Sequence, residues 1–303
     1  WIQDSRDGDK NERLKMPGTL EGIRVIDLTT GKVTATISTP TVDALKHATT
    51  GVKGTTGNSL TITVTDAEIT AEELNILDAT TDVKVILDPA GDSPVSVTSS
   101  AYSDVLTAFQ SSGFTGLSTA PVVVSGNITV NQANALDALT SGAITATISD
   151  SSFATLNNLT GTGNAYSVTL GELTVAAADV NALVLKSTVK PVVNSVTKFT
   201  GSLADLNTLY VTNAAKTTNA SKDEAVTVSD TSIDAALLTA VNGATSGLIT
   251  VDPTSIFGAG DQIVALYTAN GNAGHLTGLD GDLTVTLKGT STNATTLKVI
   301  SAA

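Results

Sequence analysis

Between Thr70 and Asp88 the apolar side chains fall at Leu74 and Leu77, three apart with Ile76 beside them, and then at Val83, Val85, Ile86 and Leu87. The first spacing is that of one helix face. The second, dense in β-branched residues, is that of a buried strand. The pattern predicts a short helix, a polar turn at Ala79-Thr80-Thr81-Asp82 and a strand over Val83 to Leu87. Thr70 precedes the helix and Glu73 stands at its third position, which is a capping box; Glu72 and Glu73 also suit the positive end of the helix dipole. A helix this short is marginal alone and has to pack on something.

The unit recurs in degraded form. Its helix signature is an apolar residue, Asn, any residue, then Leu: Leu74-Asn75-Ile76-Leu77, Ala133-Asn134-Ala135-Leu136, Leu156-Asn157-Asn158-Leu159, Val180-Asn181-Ala182-Leu183 and Leu206-Asn207-Thr208-Leu209. With looser copies, the second position falls at 43, 75, 104, 134, 157, 181, 207, 239 and 264, a mean spacing of about 28 residues (221 residues over eight intervals). The turn recurs as Thr49-Thr50-Gly51, Thr140-Ser141-Gly142 and Thr245-Ser246-Gly247, where the Gly fits a left-handed helix C-cap. The strand Val33 to Ser38 recurs almost letter for letter as Ile144 to Ser149, apolar residues alternating with Thr as on a half-exposed sheet. Further strands are expected at Leu60 to Thr65, Val95 to Thr98, Val122 to Val130, Tyr166 to Leu170, Ala225 to Ser229 and Leu248 to Val251.

These spacings predict an α/β to mainly β fold: an elongated, solenoid-like repeat domain with one strand and one short helix per coil. Gaps such as Asp82 to Ser99 have room for a second strand. The repeat domain is expected over residues 19–270. Residues 1–18 are charged and aperiodic and read as a flexible N-terminal arm, while 271–303 read as a C-terminal β cap, a hairpin of Leu283–Leu287 with Thr296–Ile300.

Composition sharpens this picture. Aromatics are only 3% of the chain, so the core has to be Val, Ile, Leu and Ala, which suits thin repeated layers. Charged residues are 15%, so Thr, Ser and Asn carry much of the polar surface. A net charge of −13 disfavours nucleic acid and anionic membrane as partners, both being polyanions. There is no Cys, which removes disulfides and thiolate metal sites, and no apolar run approaches the roughly 18 residues of a membrane span. The chain opens on Trp1 without a signal peptide, as a processed form or a piece of something longer would.

Segments such as TAEELNILDATT resemble a repeat of bacteriophage tail fibres. Segments such as FTGSLADLNTLYVTNAA and EAVTVSDTSIDAALLTAVNGATSGLITV are similar to repeats of very large surface proteins of marine cyanobacteria and other bacteria. Together they cover residues 30 to 270. The resemblance implies a structural spacer or contact surface and no catalysis.

Candidate sites are few. Asp7, Asp9 and Asn11 follow the alternation of a calcium loop, but Glu12 stands where Gly is needed and Gly18 where a bidentate Glu is needed. Asp280 and Asp282 flank Gly281 and could hold calcium with loop carbonyls, although a plain turn explains them as well. His47 and His275 have no nucleophile or metal cluster beside them. The recurrent Asn75, Asn134, Asn157, Asn181 and Asn207 are read as structural, bonding backbone at the helix-to-turn corner. Sequons at Asn127, Asn158, Asn219 and Asn293 offer glycan positions on a secreted chain. The expected role is therefore non-enzymatic: a structural subunit of an extracellular or cell-surface assembly (filament, sheath, surface layer or adhesin stalk) whose main partner is itself, with surface glycans as a second class. The alternatives are a phage tail-fibre segment and, last, a glycan-active β-helix enzyme.

Overall fold

The structure, a computed structural model, describes residues 34–37, 42, 59–89, 94–218, 222–270 and 275–289. It is a mixed α/β chain that divides into two compact units at Thr147/Ile148, a boundary inside the span expected to form one repeat domain. Among the described residues the strands pair in parallel wherever their register is defined, and the sheets stay open rather than closing into a barrel.

Unit 1 holds β1 (Thr34–Ile37), β2 (Ser59–Val64), β3 (Glu68–Thr70), α1 (Ala71–Asp78), β4 (Val85–Leu87), β5 (Ser96–Ala101), α2 (Tyr102–Gln110), β6 (Phe114–Thr115), β7 (Val122–Ile128), α3 (Val130–Asp137) and β8 (Ile144–Ile148). One sheet takes the order β1-β2-β4-β6, the other β3-β5-β7-β8. Unit 2 holds α4 (Phe153–Leu156), β9 (Ala165–Ser167), β10 (Thr174–Ala176), α5 (Ala177–Leu183), β11 (Lys198–Gly201), α6 (Leu203–Asn207), β12 (Ala225–Val228), β13 (Ser232–Asp234), α7 (Ala235–Ala244), β14 (Ile249–Thr250), β15 (Ser255–Gly258), α8 (Gly260–Ala269), β16 (Leu276–Thr277) and β17 (Thr284–Leu287). Its sheets take the orders β10-β11-β12-β14-β16 and β13-β15-β17.

The helix of the opening unit folds as its pattern requires, while its strand is the shorter Val85–Leu87, with Val83 and Ile86 exposed rather than buried. The Thr70 side chain accepts the Glu73 N–H at 3.3 Å, and the Glu73 carboxylate accepts the Thr70 N–H at 2.8 Å. Thr129 and Gln132 repeat the box at α3. Ala71, Leu74 and Leu77 are buried and Ile76 turns outward, so α1 lays one narrow stripe on the sheets. The cores are mostly aliphatic: Ile62, Ile69, Leu74, Val97, Leu136 and Ile144 in unit 1, and Val226, Ile233, Leu238, Ile249, Ile256 and Leu276 with Tyr166 and Phe199 in unit 2.

One expectation changes. Several helices are preceded by two strands rather than one: β2 and β3 before α1, β12 and β13 before α7, β14 and β15 before α8. The second strand has only three or four residues, too few for alternation to stand out, and it sits directly against the helix N-cap. Thr284–Leu287, the first half of the expected C-terminal hairpin, pairs in parallel with β15, Ser255 facing Thr284 and Gly258 facing Leu287. The other half, Thr296–Ile300, lies outside the described residues, as do the arm at 1–18 and His47.

The glycines after the turns also act differently from a left-handed cap. Neither Gly142 nor Gly247 has a positive φ. A Cβ on Gly142 would overlap the Ala120 carbonyl, and one on Gly247 the Glu224 carbonyl. These positions are glycine because the chain passes directly over the backbone of the preceding strand–helix segment. Gly243, on α7, has nothing within 4 Å of such a Cβ. Gly247→Ala is therefore expected to destabilise unit 2 by about 1–3 kcal/mol through overpacking, whereas Gly243→Ala is expected to stabilise it by about 0.5–1 kcal/mol. Urea denaturation of the two variants checks the opposite signs.

Candidate functional site

The polar groups of this chain act mainly by tying one segment to the next, and three kinds of side chain do so. The first is a turn hydroxyl. Thr140 donates to the Ala120 carbonyl at 2.9 Å and accepts the Gly142 N–H at 2.9 Å. Thr245 donates to the Lys222 carbonyl at 2.6 Å and accepts the Gly247 N–H at 3.0 Å. Thr81 does the same with the Leu60 carbonyl and the Val83 N–H, and Ser187 with the Tyr166 carbonyl and the Val189 N–H. Ser111 bonds the Gly113 N–H and reaches the carboxylate of Asp78. One hydroxyl thus closes its own turn and grips the segment before it.

The second kind caps a helix from outside it. The first N–H of α1, on Ala71, is received by Ser100 at 2.8 Å, that of α4, on Phe153, by Glu172 at 2.6 Å, and that of α6, on Leu203, by Asp230 at 2.7 Å; Asp66 receives the Val42 N–H at 2.9 Å. A helix N-terminus leaves donors without intrahelical partners, and here the following segment supplies the acceptor. Ser100 is wholly buried and also faces the Glu72 carboxylate at 3.1 Å.

The third kind is the recurrent asparagine. Asn75 Nδ2 donates to the Asp104 carbonyl at 3.1 Å and Asn181 Nδ2 to the Asp205 carbonyl at 2.9 Å, each on the next helix rather than on the turn. Asn213 donates to Asn181 Oδ1 at 3.0 Å. Asn134 lies half-buried on α3, Asn207 half-buried at the end of α6, and Asn157 exposed at the end of α4.

Of the residues read as calcium ligands, Asp7, Asp9 and Asn11 lie outside the described residues. Asp280 and Asp282 are exposed, and the Asp280 carbonyl accepts the Tyr267 hydroxyl at 3.3 Å. Burial raises the Tyr267 phenol, and the charges of Asp280 and Asp282 add to that. Among the described residues no group of three or more His, Asp and Glu side chains gathers where a metal could sit. His275 is exposed, and its carbonyl receives the Ile249 N–H.

No protein-family model, curated protein or solved structure matches this chain.

One polar cluster of unit 2 was not visible in the sequence. After α6 the chain widens into a π-helical turn, Thr208–Thr212, which carries Tyr210. Its ring packs edge-on against Phe199, centroids 5.9 Å apart. The Tyr210 hydroxyl and Glu224 Oε2 are both buried, and neither makes a hydrogen bond of good geometry. The Glu224 carboxylate and the Thr245 hydroxyl nevertheless stand close enough to bear on the phenol. Burial raises the Tyr210 phenol far above its ordinary value, and the charge of Glu224 raises it further. Beside the ring, Val193, Leu209, Ala214 and Lys222 line a small cleft, and Lys222 has the left-handed φ of 48°. Like charge acts elsewhere too: Asp179 is raised by burial and by Glu172.

A phenol with a raised folded pKa stays protonated in the fold, so its contribution is fully present below about pH 10 and is lost as pH rises toward the folded value. Native protein is expected to lose stability through the alkaline range more steeply than Tyr210→Phe. Urea midpoints across that range check it, and coincident alkaline limbs would contradict it.

Proposed function

We propose that each unit is an α/β solenoid whose strand–helix segments are its coils, and that the chain is a structural subunit of an extracellular surface assembly: a filament, sheath, surface layer or adhesin stalk. The observation that carries this reading is the direction of the bonding. Strands pair in parallel with the next strand of their sheet, and the polar side chains bond chiefly to the segment before or after their own. In a protein built this way an outermost strand presents backbone groups unpaired within its own sheet, and an edge of that kind invites stacking or strand addition by another copy. A head-to-tail contact that does not close makes a fibre.

The surface chemistry supports the same reading. Side chains on the outward positions of the strands are mostly Thr and Ser, as at Thr145 and Thr147 of β8, so the net charge of −13 is carried by relatively few groups. The resemblance of the repeats to bacterial surface proteins favours a location outside the cell. Among the described residues no helix is long and apolar enough to cross a membrane. Self-association is the main partnership in this reading.

Negative-stain electron microscopy of the purified chain is expected to show polymers, at least at high protein concentration. A discrete trimer by light scattering, with no polymer at any concentration, would overturn the reading and favour a virion fibre.

A further inference from the structure

Unit 2 presents a row of four threonines in register. The register aligns Thr200 with Thr227, Thr227 with Thr250 and Thr250 with Thr277 across β11, β12, β14 and β16. Phe199, Val226, Ile249 and Leu276, one position before each, are buried, so the pleat turns all four threonines to the outer face. Thr250 and Thr277 are exposed, and Thr200 and Thr227 are half-buried. The matching row of unit 1, Thr63, Ile86 and Thr115, is broken by an isoleucine.

These threonines differ from those at the turns. Thr81, Thr140 and Thr245 each spend their hydroxyl on backbone. Among the described residues none of the four row side chains makes a hydrogen bond. A parallel sheet places neighbouring strands about 4.8 Å apart, so the row is a ladder of hydroxyls about 14 Å long, two of its threonines exposed and two half-buried, each with a methyl group beside the hydroxyl. β-Branching holds each side chain to few rotamers, which keeps the pitch.

We infer that this ladder is a binding face for the surface of ice. A ligand that meets it has to repeat at the strand pitch, offer hydrogen bonds at every step and accept a methyl between them. Oxygens along a lattice row of hexagonal ice repeat at nearly that pitch. The row holds no ionisable group for a charged ligand. No Phe, Tyr or Trp stands in it, or beside it at Thr174, Lys198 and Ala225, for a sugar ring to stack on. Lys198 marks the edge of the face. Adsorption would give the surface assembly a hold on ice, but the ladder does not depend on assembly and can be tested on the free chain.

The test is thermal hysteresis by nanolitre osmometry on the whole chain, with albumin as the blank. Native protein is expected to show a freezing gap and faceted crystals. Thr250→Tyr and Thr277→Tyr, at exposed positions, are expected to keep the native melting curve and lose most of the gap, while Thr147→Tyr on β8 keeps it. No gap above albumin in native protein would overturn the inference, and so would a gap that survives both ladder substitutions. Neither result bears on whether the chain polymerises.

Discussion

The bond on which the rest of this structure depends is the one made by a turn hydroxyl after a helix. Thr140 and Thr245 each hold two backbone groups, a carbonyl of the segment before and an N–H of their own turn. The turn cannot take its shape without the earlier segment, and the earlier segment's carbonyl is satisfied only when the turn arrives. The glycine two residues on lets the chain lie close enough for that bond, since a Cβ there would strike the same backbone. The helix caps run the opposite way, the later segment supplying Ser100, Glu172 or Asp230 to a helix already formed. The short helix α1, marginal alone, is thus held at both ends by its neighbours, Ser100 at its start and the Thr81 turn after it.

Much of this was legible in the sequence and some was misread for physical reasons. The capping box at Thr70 and Glu73, the buried stripe of Leu74 and Leu77 and the recurring short helices follow from local spacing, and local spacing is what a sequence displays. The three-residue strands such as Glu68–Thr70 were missed because alternation needs more length to be recognised. The Thr-Ser-Gly turns are visible in the sequence, but their glycine, which by local spacing fits a left-handed cap, marks instead a close approach between segments distant in sequence. The recurrence of the asparagines suggests helix-to-turn corners, but hydroxyls occupy those corners, and Asn75 and Asn181 bond backbone carbonyls of the next helix. Nothing in the pattern pointed to Tyr210 and Glu224, because their meeting depends on a π-helical turn and on a carboxylate fourteen residues later in the chain.

The same economy bears on function. The described residues place their polar chemistry in the joints between segments, and the buried pair of Tyr210 and Glu224 is the place where that chemistry is least satisfied. Where side chains face outward on a sheet they are mostly hydroxyls, most regularly in register at Thr200, Thr227, Thr250 and Thr277. A chain built so offers an extended, repeating, weakly charged surface and segment ends of matching chemistry. That is the material of a structural subunit.

The most direct measurement of the central claim is the stability of Thr140→Val beside Thr140→Ser. Valine keeps the shape and the β-branch while removing the hydroxyl; serine keeps the hydroxyl. If the turn hydroxyl holds the segments together, Thr140→Val loses about 1–3 kcal/mol in urea denaturation, because the Ala120 carbonyl and the Gly142 N–H lose a buried partner together, and Thr140→Ser recovers most of it. A valine variant as stable as the native chain, or a serine variant no better than valine, would contradict the account.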